Sequence, residues 1–463
     1  MTGVSADCAG RSYDQAQTVA AKRPAPWQNC KYRSPMAVTV PAATQQIDYA
    51  DLYARWERGN WCATEIDLSQ DREDWLHRFT DEQRRGALWL YTLFFHGEDS
   101  VAGNLSPYID AAPLEEQKYF LATQQVDEAR HAVFFHRFMH EVVGAGDGTL
   151  GGGLCATAPQ LSWGHRMLFA RLDRMAEELR RDHSPCKLAA AVALYHVIVE
   201  GTLAQPGQHI IESSLEALDL MPGFRAGIAN VAVDEQRHIA FGVRLLADLY
   251  ETDPDGTQDA IVDVIREVLS WTLSVPIPPG WDTSYTECFD FSMEDLFEQG
   301  AISNEAKLRA IGLPLDDIAH FPLPMDVPPR VRGEQALALL RAGLLGERNG
   351  PVGRDPETVR ILFDLLARTA RGTEVPAGTT IQWDFADHDP WYLQLDGTHN
   401  RRPGAAAQAD RPAAHALRRL RRPRVQPCRA ARARRARAHA AMGRPARAAE
   451  DAAAVWLTLA ADG

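Results

Sequence analysis

Apolar residues recur at three- and four-residue spacing through most of the chain between Tyr49 and Ala319. That pattern predicts amphipathic helices over 81–96, 114–143, 162–180, 186–219, 223–250 and 258–274. Breaks rich in glycine, proline and aspartate separate them, at Gly144–Gly153, Ser184–Pro185, Asp253–Gly256 and Pro276–Gly280. Few stretches alternate with period two, so the expected fold over 46–320 is an all-α helical bundle.

The flanks read differently. Residues 1–45 are polar and proline-dotted, with one short apolar piece at Met36–Ala43, and predict a flexible N-terminal segment. Pro322, Pro324, Pro328 and Pro329 cannot continue a helix, so 321–333 reads as a proline-rich linker. Beyond it, 334–346 and 356–371 predict short amphipathic helices. Ile381, Trp383 and Phe385 then alternate within Thr379–Asp387, and Trp391–Leu395 follows a turn containing Asp387, Asp389 and Pro390. A hairpin is expected there, making 334–400 a small, partial α+β module. From 401 to 450 the chain holds 15 arginines, no lysine, 17 alanines and two acids, Asp410 and Glu450. No apolar period there would extend the hairpin. Residues 401–463 read as an irregular, basic, low-complexity tail, either disordered or the product of a frame shift in a GC-rich gene.

Composition then narrows the chemistry. A hydrophobic share of 45% in 463 residues allows a sizeable core. The net charge is −13, and without 401–450 the remainder has 34 bases against 60 acids, a net of −26. A body this acidic is not expected to bind nucleic acid. No apolar run approaches the length of a membrane span, and the first 20 residues lack a signal-peptide core, so a soluble, cytoplasmic protein is expected. The seven cysteines show no CxxC pair, leaving metal chemistry to histidine and glutamate.

One string occurs twice. Asp127-Glu128-Ala129-Arg130-His131 and Asp234-Glu235-Gln236-Arg237-His238 both read D-E-x-R-H, 107 residues apart. Glutamate and histidine at i and i+3 project from one helical face, one turn apart, and can share a metal. Each string follows a helix with a lone glutamate at the end of an apolar run, Glu98 and Glu200, where an unpaired carboxylate would be costly. The order Glu98, Glu128/His131, Glu200, Glu235/His238 is the dinuclear carboxylate recipe of ferritin-like four-helix bundles. One metal is assigned to Glu98, Glu128 and His131, the other to Glu200, Glu235 and His238, with Glu128 and Glu235 as bridges. Such donors suit iron or manganese. Asp127 and Asp234 are expected either to accept the free ring N–H of the opposite helix's histidine or to pair with Arg130 and Arg237. Phe94, Phe95, Phe134 and Phe135 are expected to exclude water and shape the substrate space. Pro206, shortly after Glu200, must distort its helix.

The stretch from Trp61 to Asp71, with the ligand series after it, resembles the ribonucleotide reductase small subunits over about residues 50–300. In that family a radical-storing tyrosine lies seven residues after the first metal glutamate. Here that position is Leu105, and Tyr108 is out of register. The chain is more similar to the reductase-like ligand-binding oxidases, in which a manganese/iron or di-iron centre binds a fatty acid and forms a tyrosine–valine ether crosslink. That resemblance places the crosslink at Tyr195 and Val101, five before the third glutamate and three after the first. The D-E-x-R-H string is also shared with multicomponent di-iron hydroxylases, and the 379–395 hairpin resembles the start of a sterol-carrier-protein lipid-binding domain. The resemblance therefore implies an oxidase or monooxygenase using O₂, an apolar or fatty-acid-like ligand and an external electron donor, with a homodimer left open. A reductase β-subunit-like protein and a non-catalytic ferritin-like metal- or lipid-binding protein are the alternatives.

Overall fold

A computed structural model of the chain describes residues 48–319, 321–347 and 355–369, with the strand segments 379–383, 391–395, 400–403 and 411–413. The segment 1–45 and most of 401–463 lie outside the described residues. Fifteen α-helices are described. They are α1 (Tyr49–Arg58), α2 (Ser69–His77), α3 (Asp81–Asn104), α4 (Ser106–Ala111), α5 (Glu115–Phe138), α6 (Leu150–Thr157), α7 (Trp163–Leu179) and α8 (Pro185–Val192). After α8 come α9 (Gln205–Leu218), α10 (Pro222–Thr252), α11 (Pro254–Ser274), α12 (Ser284–Glu287), α13 (Met293–Ile311), α14 (Pro329–Arg341) and α15 (Pro356–Thr369).

The fold class is the helical bundle that the apolar spacing predicts. Helix α3 packs on α5, and the segment between α8 and α9 packs on α10, so four long elements enclose the centre. Local chemistry fixes their ends. Thr80 and Gln83 form a reciprocal capping box that starts α3. The N-terminus of α10 is held by two buried aspartates of α2: Asp71 accepts from the Gly223 and Phe224 N–H groups, and Asp74 from that of Met221. Carboxylates satisfy the orphan donors of a helix start and complement its dipole. Gly223 is required there, because a Cβ would lie 2.1 Å from the Asp67 carbonyl.

The run 186–219 is not one regular α-helix. Ala193–Ala204 is a π-helical segment of 12 residues between α8 and α9. Pro206 sits in the first turn of α9, where its missing N–H removes a donor from the preceding ladder. The distortion expected from Pro206 therefore lies upstream of it and contains Glu200. Pro185–Leu218 is also long and apolar enough to cross a membrane by length and composition, unlike the sequence expectation; its apolar window is 72% buried inside the bundle.

Two other expectations are corrected. Helix α14 begins at Pro329, so Pro329–Gly333 belong to a helix and not to the linker. Proline is well placed in a first helical turn, which is why the last proline pair starts a helix. The hairpin is present as β1 (Thr379–Trp383) and β2 (Trp391–Leu395), antiparallel with Ile381 opposite Leu393 and Trp383 opposite Trp391. It is extended at both edges, against expectation: β3 (Asn400–Pro403) pairs antiparallel with β2, and β4 (Arg411–Ala413) parallel with β1. An edge strand needs only backbone partners and tolerates charged side chains, so arginine-bearing strands escape a search for apolar alternation. Helices α14 and α15 share a core with the bundle, through Leu269, Met293, Phe297, Leu337, Phe363 and Trp391.

Candidate metal centre

Helices α3 and α5, the π segment and α10 bring all six sequence-chosen ligands together. Glu98, Glu128, His131 and Glu235 each place a donor atom within 4.8 Å of one another. Glu128, Glu200, Glu235 and His238 do the same. Glu128 and Glu235 belong to both groups, which is the arrangement two bridging carboxylates require. All six side chains are buried.

The histidines face the carboxylates through Nδ1. His131 Nδ1 lies 3.2 Å from Glu98, 3.5 Å from Glu235 and 3.6 Å from Glu128. His238 Nδ1 lies 3.1 Å from Glu128, 3.6 Å from Glu200 and 3.7 Å from Glu235. Burial pushes the Glu98 carboxyl up to about 8, partly offset by His131. It also raises Glu200 and Glu235, helped by their neighbouring carboxylates. Glu128 is buried too, yet the two imidazoles that flank it hold it well below the usual carboxylate range.

The cluster fits a pair of cations on the evidence of its own atoms. Glu200 Oε2, Glu235 Oε2 and His238 Nδ1 are buried without a hydrogen-bond partner. His238 Nδ1 is close to Glu128, but out of line for a hydrogen bond. Buried orphan acceptors are expensive unless something positive sits between them. Four carboxylates and two imidazoles converging in one place can therefore hold two metal ions.

Behind the histidines stands a cross-brace. His131 Nε2 donates to Asp234 at 3.1 Å, and His238 Nε2 to Asp127 at 3.1 Å, each across to the other helix. The two readings of these aspartates hold at once, because Arg130 and Arg237 each pair with both. Trp56 Nε1 donates to Asp127 and Trp61 Nε1 to Asp234, both at 2.8 Å. Aspartate acceptors fix Nε2 as the protonated ring nitrogen and leave Nδ1 for a ligand. Asp234 stays ionised despite burial, held down chiefly by the His131 contact.

On the opposite side of the carboxylates lies an apolar cavity of about 230 Å³. Glu98, Glu128, Glu200 and Glu235 line it, and so do Val101, Tyr195 and Phe94. The Tyr195 hydroxyl donates to Glu128 Oε1 at 2.7 Å and accepts from Gln124 Nε2 at 3.2 Å. Phe95, Phe134 and Phe135 do not line it. Phe134 and Phe135 pack with Phe224 and Phe138 in an aromatic cluster next to the site, and Phe95 stacks on His136, correcting the expectation that they shape substrate space. Phe94 stacks on Phe135 at 5.9 Å and is the one of the four that faces the cavity.

Sequence reasoning missed Gln124, His196 and Trp56. Gln124 donates to Glu200 at 2.9 Å and receives His196 Nε2 at 3.1 Å. Burial holds the His196 ring neutral, its pKa down to about 3. Gln124 stands one turn before Glu128 on the same helical face, a spacing that could have flagged it. Nothing in the sequence near Trp56 marks it as a partner of Asp127. His96 bonds Thr157 at 3.0 Å, away from the site.

Residues 43–274 match the family model "Ribonucleotide reductase, small chain", half of the chain. The chain belongs to the ribonucleotide reductase small-chain family. Among solved structures, a mutant R2-like ligand-binding oxidase with an anaerobically reconstituted Mn/Fe cofactor is 24% identical, with a TM-score of 0.50, over 58% of this chain and 94% of that one. The R2-like ligand-binding oxidase from Sulfolobus acidocaldarius is 26% identical, with a TM-score of 0.49, over 61% and 97%. The former likeness is one of fold. Within the small-chain family, the position seven residues after the first glutamate is filled here by the buried aliphatic Leu105.

Proposed function

We propose that this chain is a dinuclear metal oxidase or oxygenase that uses O₂ beside an apolar, fatty-acid-like ligand. The observation that carries the reading is a sorting of donors: the four glutamates line an apolar cavity, while the two histidines are braced from behind. Glu98, Glu128 and His131 would hold one ion, and Glu200, Glu235 and His238 the other, with Glu128 and Glu235 shared. The mixed oxygen and nitrogen set suits Fe/Fe or Mn/Fe. A redox-active pair held there supplies electrons and Lewis acidity for reducing dioxygen.

The chain's own residues do the rest. The apolar wall excludes bulk water and leaves space for a hydrophobic molecule next to the carboxylates. Asp127 and Asp234 hold each imidazole with Nδ1 toward the cluster. Tyr195 keeps its proton, since burial and the adjacent Glu128 both raise its pKa. Its hydroxyl shares the cavity wall with Val101, which supports assigning these two to a tyrosine–valine ether. That bond removes one hydrogen from each residue, and dioxygen takes up both. Further electrons come from an external donor, and we place the protein in the cytoplasm. The aliphatic Leu105 favours this reading over a radical-storing reductase subunit.

Aerobic reconstitution of purified protein with Fe(II), alone or with Mn(II), tests the proposal. Metal analysis should give about two ions per chain. Intact mass should fall by two hydrogens, and Val101→Ala should abolish that loss. Full metal loading with no oxygen consumption linked to an apolar ligand would instead favour a non-catalytic ferritin-like protein.

A further inference from the structure

The cavity beside the carboxylates does not end inside the region that matches the family. Along α11 its wall runs from Ile265 to Leu273, about 12 Å at the rise of an α-helix. Its far side is built by Ala336 and Leu339 of α14 and by Ile361 and Leu365 of α15. Both helices lie beyond residue 274, where the family match stops. Two ties hold that wall in place. Leu337, Leu340 and Phe363 share a core with Leu269 and Phe297. Arg332, itself in the wall and 7% exposed, pairs with Glu305 of α13.

The wall has a chemical preference. Its charged members on this side, Arg332 and Glu305, neutralise each other. An apolar ligand end can settle against Ala336, Leu339, Ile361 and Leu365 with its surface removed from water. A second charged end would be desolvated beside charges that are already paired, with only neutral amides such as that of Gln335 to meet it.

We propose that α14 and α15 set the length and the end-group of the ligand. They close the chamber opposite the metal centre and select an elongated molecule with one polar end and one apolar end. This rests on the apolar-ligand reading above. The near end lies by Glu98 and Glu200, and the far end by Ala336 and Leu365.

The test uses the full-length, metal-loaded protein and measures binding of octanoate, dodecanoate, octadecanoate and the C18 α,ω-dicarboxylate by calorimetry. For the wild type, affinity should rise with chain length, and the dicarboxylate should bind at least tenfold more weakly than octadecanoate. Ala336→Phe fills the far end. It should weaken octadecanoate about tenfold or more while leaving octanoate within about twofold. Ala336→Leu, a smaller intrusion, should give the same order with a smaller change, and serves if the phenylalanine variant does not fold. Unchanged octadecanoate binding in folded variants, or equal losses for both chain lengths, would overturn the role of α14. If the wild type binds none of the four, the apolar-ligand reading falls and takes this proposal with it; binding without length discrimination sinks this proposal alone.

Discussion

The two halves of the metal centre share a sequence string but not a backbone. In the first half, Glu98 comes from the regular helix α3. In the second, Glu200 comes from the π-helical segment Ala193–Ala204. The aspartate–histidine–arginine–tryptophan brace, by contrast, is nearly symmetric: each aspartate meets the opposite histidine at 3.1 Å and its tryptophan at 2.8 Å. The halves are therefore alike where the imidazoles are braced and unlike in the backbone that carries the lone glutamate. Wide helical turns expose carbonyls that need other partners. Here α13 supplies one: Ser303 donates to Gly201 O at 2.6 Å, while Asn304 Nδ2 donates to the Thr202 hydroxyl at 2.9 Å. Lys307 lies over Gly201, where a Cβ would sit 2.5 Å from its side chain, and donates to Gln205. Helix α3 receives two separate contacts instead, His165 Nε2 donating to Leu93 O and Gln125 Nε2 to Ala102 O, both at 3.1 Å.

The largest expected effect removes what the halves share. Glu128→Ala deletes a carboxylate common to both ligand groups, so metal content should fall from about two ions per chain to near zero. Circular dichroism should show the helices retained. Metal content equal to wild type would break the assignment of Glu128 as a bridge.

A smaller effect singles out the clamp. Burial lowers the Lys307 pKa from 10.5 to about 8, and no carboxylate is hydrogen-bonded to its ammonium. Between those two values the unfolded chain binds the proton and the folded chain does not, so stability rises with pH across that window. Below about 8 the lysine is charged in both states and the full cost is present. The gain is about 3 kcal/mol at most. Denaturant titrations of wild type and Lys307→Met at several pH values isolate it: the difference between them should shrink toward the alkaline end. Parallel curves would mean the ammonium is better solvated than its burial indicates.

Much of this was legible in the sequence. Glutamate and histidine three apart announce their own geometry, because helical periodicity places them on one face. Glu98 and Glu200, which join the cluster, stood out because a carboxylate closing an apolar run needs a reason. Position, one residue before each clustered glutamate, offered the aspartates two alternative partners; that they take both emerges only from the structure. What was hidden depended on tertiary approach. Trp56 reaches Asp127 from a separate helix, and the clamp comes from α13, beyond the periodic segments singled out along the chain. Phe134 and Phe135 lie one turn past His131 on its face of α5, and that turn carries them beyond the carboxylates, so they pack against Phe224 and not on the cavity wall. The arginine-rich strands β3 and β4 escaped because backbone pairing leaves no apolar signature.

The finest test asks whether the brace is symmetric in function as well as in form. Asp127→Asn should weaken the ion held by His238, and Asp234→Asn the ion held by His131, because each asparagine replaces the carboxylate acceptor of the opposite ring N–H. Outer-shell partners of this kind change metal affinity by about 10–100-fold. The arginines add a second consequence: each substitution removes one negative charge from a buried group of two aspartates and two guanidinium groups, leaving a net positive charge beside the site. Both effects act in the same direction, and both apply equally to the two halves. Site-resolved Mn(II) titration followed by electron paramagnetic resonance should therefore give two similar losses at two different sites. Unequal losses would show that the π-helical half, with Glu200 on a wider turn, depends less on its histidine than the regular half does. Equal losses would confine the asymmetry to the backbone that carries Glu200.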